Sequence, residues 1–183
     1  MSALAVRIRR YGNACLRRTA RAADPADPAT AELLEVLWAT LREDGGVGLA
    51  APQIGRNVRV MVVSDPEQKP GQRDVSLVNP VIRETYGDMV SFEEGCLSFP
   101  GLYTKVWRPR GVDVEYDGPE GKLTLRSDAL ASRIIQHEID HLDGILFIDH
   151  LPVWRRILLG PRLLSYVLFE FWRKVSGGKR DRG

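Results

Sequence analysis

His137-Glu138-Ile139-Asp140-His141 decides how this chain is read. On a helix, positions i and i+4 share one face, so His137 and His141 can offer two imidazoles to one metal ion. Glu138 follows the first of them and can reach a water beside that metal. This is the H-E-x-x-H arrangement of metal-dependent hydrolases. The chain has three histidines, and two of them sit here, which makes a pair of stray surface histidines the weaker explanation.

The helix carrying this motif is predicted to start at Ser127 as its cap and to continue through Leu142. Leu130, Ile134, His137, Glu138 and His141 form one stripe of it, and Gly144 stops it. Outward from there, Val112–Tyr116 and Leu123–Leu125 flank Asp117-Gly118-Pro119-Glu120-Gly121 and read as a hairpin. Val58–Ser64 and Val75–Ile82 read as further strands, with Pro80 placing part of the second at an edge or bulge. Leu33, Leu34, Leu37, Trp38 and Leu41 recur at helical spacing, which predicts a helix over about residues 28–43, ended by Asp44-Gly45-Gly46. The expected class is α+β: short, mostly antiparallel strands in small sheets around the central helix of His137–His141. Residues 1–150 form a single catalytic domain in this reading, and 151–183 a basic, apolar helical extension.

The chain of 183 residues, 44% hydrophobic and 27% charged, suits one globular domain. Met1–Arg10 holds no apolar run suited to a signal peptide. Cys15 and Cys96 make no disulfide framework, and both points favour a reducing cytoplasm. Cys15 reads as a small buried apolar residue.

A catalytic zinc-type site normally has three protein ligands and an open position for water. Two residues compete for the third place. His150 lies just past the helix, in Phe147-Ile148-Asp149-His150. Cys96 lies upstream, in Glu94-Gly95-Cys96-Leu97-Ser98, and its thiolate would be a strong ligand for zinc or ferrous iron. A third constellation, Gly46-Val47-Gly48-Leu49-Ala50-Ala51-Pro52-Gln53, has almost no side-chain bulk and lets a ligand or another chain segment approach closely. It is not a phosphate-binding P-loop, since no G-K-[ST] follows.

Together, Gly46–Gln53, Glu94–Ser98 and Gln136–His141 resemble the three signature motifs of peptide deformylases, in that family's order. Arg9-Arg10-Tyr11-Gly12 with Leu16-Arg17 resembles the family's start, and the likeness covers about residues 5–150. It implies a metal-dependent hydrolase that removes the N-formyl group from the initiator methionine of newly made polypeptides, releasing formate. On this resemblance Cys96, His137 and His141 are the metal ligands, and Glu138 takes a proton from water and delivers it to the leaving amine. The Gln53 amide and the Leu97 backbone N–H face the developing oxyanion. Gly48 binds the substrate backbone through its carbonyl, in the manner of an added strand. Val47, Ile134 and Tyr103 are candidates for the methionine pocket, with core packing the competing role for Val47 and Ile134. Tyr103 stands where some members carry a charged residue, a departure that bears on contacts to the second substrate residue. Glu94 and Asp140 are available to support the histidines or to pair with Arg108. The resemblance implies one divalent ion, Fe²⁺, while the ligand set also suits Zn²⁺, Ni²⁺ or Co²⁺.

Two other classes fit the residues less well. A zinc endopeptidase of the H-E-x-x-H type usually takes its third ligand downstream, whereas Cys96 lies upstream. A ribosome-associated binding protein without activity has no need of Glu138, Gln53 and Cys96 together.

Net charge is +2 and unevenly spread. Residues 151–183 hold eight basic and two acidic side chains; residues 1–150 hold 18 and 22. Trp154, Ile157, Leu158 and Leu159 precede Gly160-Pro161, which reads as a break and restart. Leu163–Trp172 is then apolar nearly all round, too short to span a bilayer. Three readings of this tail compete: packing on the body or on a second copy, presenting arginines to ribosomal RNA, or lying in a membrane interface.

Overall fold

The computed structural model of the chain describes residues 4–67 and 74–177. The first helix, α1, runs Pro28–Asp44. Asp27 caps it by accepting from the Ala29 N–H, Pro28 occupies its first position, and Gly45 closes it in the left-handed region at φ 67°. Leu37 and Leu41 are fully buried against Leu49, Val60 and Val62, which is the periodicity seen in the sequence turned into packing.

Five strands form one antiparallel sheet in chain order: β1 Gly48–Ala50, β2 Val60–Ser64, β3 Asp74–Gly95, β4 Tyr103–Gly118 and β5 Gly121–Ser127. One sheet thus replaces the several small ones expected, because β3 and β4 are a single long ribbon of 22 and 16 residues. Its register shifts between Val78 and Val81, Ile82 and Glu84, and Tyr86 and Met89. Such bulges bend and twist a ladder. The first falls at Asn79-Pro80, as the proline suggested. Asn79 takes φ 50°, a conformation its short polar side chain tolerates, and that side chain bonds both backbone groups of Ala23 and the Asp117 carboxylate.

The central helix, α2, runs Ala129–Leu142. Its N-cap is Asp128, whose carboxylate accepts from the Ala129 N–H. The expected cap, Ser127, is instead the last residue of β5, and its carbonyl accepts from the Tyr86 hydroxyl at 2.8 Å. Ile134, Ile135, Ile139 and Leu142 pack on Met61, Val63, Leu77, Val112 and Val114 of the sheet. Each such burial contributes about 1.5–3 kcal/mol, so α2 is pinned along its length and its histidines inherit that rigidity.

The last helix, α3, runs unbroken from Val153 to Gly177 with Pro161 inside it, against the break expected there. Proline removes one helical hydrogen bond, but anchors lie on both sides of it. Leu159, Leu163 and Tyr166 pack against Phe99, Leu102, Phe147 and Ile148. Arg162 and Tyr166 donate to the Gly101 and Pro100 carbonyls at 2.5 and 2.9 Å. One face of α3 therefore rests on the body. Lys179, Arg180, Asp181 and Arg182 of the basic tail lie outside the described residues. No helix among the described residues is long and apolar enough to cross a membrane.

Candidate metal centre and active site

Three segments far apart in sequence converge on one cavity of about 860 Å³. α2 brings His137 and His141, whose rings lie 5.1 Å apart. The loop after β3 brings Cys96, with its Sγ 3.2 Å from Nε2 of His141. Ligand atoms of Cys96, His137 and His141 all lie within 4.8 Å of one another, a spacing that one ion could bridge. His150 is not part of this group: its Nε2 sits 2.7 Å from Asp140 Oδ2.

The third segment is the glycine-rich one. Gly48 lies in β1, and a Cβ there would come within 2.5 Å of Glu138 Oε1 and 2.7 Å of Ile134 Cγ2. The approach that the missing side chains permit is therefore made by α2. At Gly46 a Cβ would meet Leu97 and Leu41 at 2.8 and 2.9 Å. A 3₁₀ turn over Ala51–Ile54 then aims Gln53 inward. Its Oε1 accepts from the Ala50 N–H at 2.7 Å, and its Nε2 lies 3.6 Å from Cys96 Sγ and 3.4 Å from Ser98 Oγ.

Most of the expected site residues share this space. Val47, Gly48, Gln53, Cys96, Leu97, Tyr103, Ile134, His137 and Glu138 all line the cavity, while His141 is buried and joins them through Cys96. Ile134 is buried in the core and at the wall alike, whereas Val47 and Tyr103 stand exposed at the rim.

Beneath the ligands lies a buried charge network. Glu94 accepts from Arg108 through both oxygens, at 2.7 and 3.1 Å, and its Oε2 lies 3.1 Å from His137 Nδ1. That contact favours the proton on Nδ1 and leaves Nε2 free to donate its lone pair. Burial alone would raise the Glu94 pKa, but its bonds to His137 and Arg108 hold the carboxyl well below the usual range. Arg108 also binds Asp140 at 2.8 Å. Burial, reinforced by His137 beside it, pushes His141 well below the ordinary imidazole value, so its ring is a neutral donor.

Sequence reasoning missed Arg133. It donates to Glu94 at 2.7 Å, to the Val90 carbonyl at 2.7 Å and to the Val106 carbonyl at 3.2 Å, joining α2 to both strands of the ribbon. A helical arginine reads as solvent-facing, and its partner lies 39 residues upstream, so no local pattern discloses the pairing.

The donor set fits a divalent ion: one sulfur and two imidazoles, with a further position open toward the cavity. A second observation agrees. Glu138 is buried, and among the described residues its Oε2 has no hydrogen-bond partner. Burial pushes its carboxyl up to about 7. Such an atom in a cavity wall calls for a partner from a bound group.

Comparison with known proteins gives the same answer. A family model for polypeptide deformylase matches residues 5–156. A peptide deformylase of Treponema pallidum is 42% identical over 146 residues, which is 79% of this chain and 87% of the relative. The crystal structure of peptide deformylase from Thermus thermophilus superposes with a TM-score of 0.81 at 39% identity, covering 89% of this chain and 98% of that one. A Met-Ala-Ser-bound class I type b peptide deformylase from Acinetobacter baumannii gives 0.75 at 33% identity, over 82% of this chain and all of that one. Motifs, site geometry and these relatives together place the chain in the polypeptide deformylase family.

Proposed function

We propose that this chain hydrolyses the N-formyl group from the initiator methionine of newly made polypeptides, releasing formate and a free α-amine. The observation that carries the reading is the convergence of Cys96, His137 and His141 on one cavity with a buried, unpartnered Glu138 oxygen. Cys96, His137 and His141 would hold the ion. A divalent ion there supplies Lewis acidity, bringing the pKa of a water toward about 7. Glu138 takes a proton from the attacking water and passes it to the departing amine, a double duty that a carboxyl near 7 performs in both directions. The Gln53 amide, held by Ala50, and the Leu97 N–H receive the charge that develops on the formyl oxygen.

Substrate contacts follow from the sheet. β1 is an edge strand whose Gly48 lines the cavity, so an extended peptide can pair with Gly48 through main-chain bonds that read no sequence. Val47, Ile134 and Tyr103 border the space for the methionine side chain. The peptide that the Acinetobacter relative binds also begins with methionine, which supports this assignment. The ion is Fe²⁺ on family resemblance, with Zn²⁺, Ni²⁺ and Co²⁺ compatible with the same ligands; metal analysis of anaerobically prepared protein identifies it. Two free cysteines, one of them a ligand candidate, suit a reducing cytoplasm. One face of α3 is left uncovered by the body and is open to a partner other than the substrate.

The test is formate release from a formyl-Met peptide with Fe²⁺, Ni²⁺ or Zn²⁺ supplied separately. Activity is expected with at least one ion and is lost on chelation; inactivity with all three overturns the reading. Gly48→Ala offers a second check. Its methyl must displace Glu138 or Ile134, and a misplacement near 1 Å costs about 10²-fold in rate. Turnover should fall by that order while metal content stays at the wild-type level.

A further inference from the structure

α3 has two apolar faces and uses one. Leu159, Leu163 and Tyr166 are spent on the body. On the other side Trp154, Leu158, Leu164, Leu168, Phe171 and Trp172 stand 55–71% exposed. Trp154 and Leu158 are four residues apart, and Leu168 lies four from both Leu164 and Trp172; Ile157, 69% exposed and seven residues before Leu164, links the two halves on one side of the helix. This stripe is far more than scattered surface apolar residues.

Charge decides what can cover it. Within Val153–Gly177 the basic residues are Arg155, Arg156, Arg162, Arg173 and Lys174, and the one acid is Glu170. Glu170 is 2% exposed and bonded to Arg173 at 2.6 Å, so the exposed face carries no carboxylate. Arg155 stands over the Trp154 ring at 5.1 Å, at the stripe's margin. A second copy laid on this stripe would set arginines against arginines in either orientation, with no acid along the edges to pair them. RNA would satisfy the arginines but leave leucines in water, since its recognition rests on phosphate contacts, polar groups and base stacking. An anionic bilayer satisfies both at once. Leucine and phenylalanine enter the acyl boundary, arginines reach the headgroups, and tryptophans sit at that level.

We propose that α3 docks this protein on the surface of an anionic lipid bilayer, lying in the interface plane with the Trp154–Trp172 stripe inward. This stands independently of the reaction. It also has a geometric consequence. Arg10 lies over Phe169 at 4.6 Å, and Pro100 and Gly101 accept from Tyr166 and Arg162, while Arg10, Pro100 and Gly101 line the cavity. The docking helix and the cavity rim are therefore one joined surface, and docking holds the opening beside the membrane.

Flotation of the full chain with vesicles of equal phosphatidylglycerol and phosphatidylcholine tests this. Wild type is expected to float, with binding about tenfold or more weaker on phosphatidylcholine alone. The double variant Leu158→Asp, Leu168→Asp alters exposed positions only. It should lose flotation while keeping wild-type melting and formate release. Failure of wild type to float on the anionic vesicles overturns the proposal, as does flotation of the double variant equal to wild type. So does ribosome cosedimentation, or a sedimenting dimer, that the double variant abolishes when neither protein floats.

Discussion

Glu138→Ala is expected to release formate from a formyl-Met peptide about 10³-fold more slowly than wild type, with metal content unchanged. A positioned acid–base group contributes about 10²–10⁴-fold, and of the two buried carboxylates at the cavity wall Glu94 is held by Arg108 and Arg133, whereas Glu138 Oε2 has no hydrogen-bond partner among the described residues. Stability should move the other way. A buried carboxylate oxygen without a partner among the described residues costs free energy in the folded state. Glu138→Gln, which keeps the volume and removes the charge, should therefore melt no lower than wild type while losing activity like the alanine variant. A rate within tenfold of wild type for both variants would remove Glu138 from its proposed role.

The second large effect is on stability. Glu94→Gln leaves Arg108 and Arg133 buried with their shared carboxylate gone. Breaking a buried pair by removing one partner costs about 3–5 kcal/mol. The same change loosens the support under His137, and loss of such a partner weakens metal binding about 10–100-fold. The sign of the pH dependence follows from the direction of the shift. The folded carboxyl titrates below its unfolded value, which is about 4.3. Its stabilisation is therefore complete above that value and drains away as pH falls toward the folded pKa. Denaturant unfolding should show wild type well ahead at about pH 6 and losing that lead by about pH 3. A gap that stays constant over this range contradicts the assignment.

How much of this was legible in the sequence depended on where the determining contact lay. α1 and α2 were readable because their apolar spacing meets one continuous core. Cys96 and Gln53 were placed by resemblance, and the pairing of Glu94 with Arg108 was anticipated from the same motifs. Between Ile82 and Val112 the ribbon was not readable. Residues 83–90 are mostly exposed, so burial imposes no alternation, and the strand bulges between Tyr86 and Met89 with Gly87 at φ 74°. The continuity of α3 across Pro161 was hidden for a related reason. Its anchors, Gly101 and Pro100, lie about 60 residues upstream, and local propensity cannot register them.

The bends in the β3–β4 ribbon also set an order of assembly. Its near half packs Leu77, Val112 and Val114 into the sheet-helix core, and its far half carries Glu94 and Arg108 and ends at the loop that holds Cys96. The two strands join through the short loop 96–102, so the ribbon can zip from that loop outward with little closure entropy. A ribosome working from the N-terminus delivers this hairpin before α2 exists. Cys96 is then held in advance, and both histidines arrive together when α2 docks across the finished ribbon. An ion held by Cys96, His137 and His141 would thus fasten α2 onto a ribbon already built to receive it.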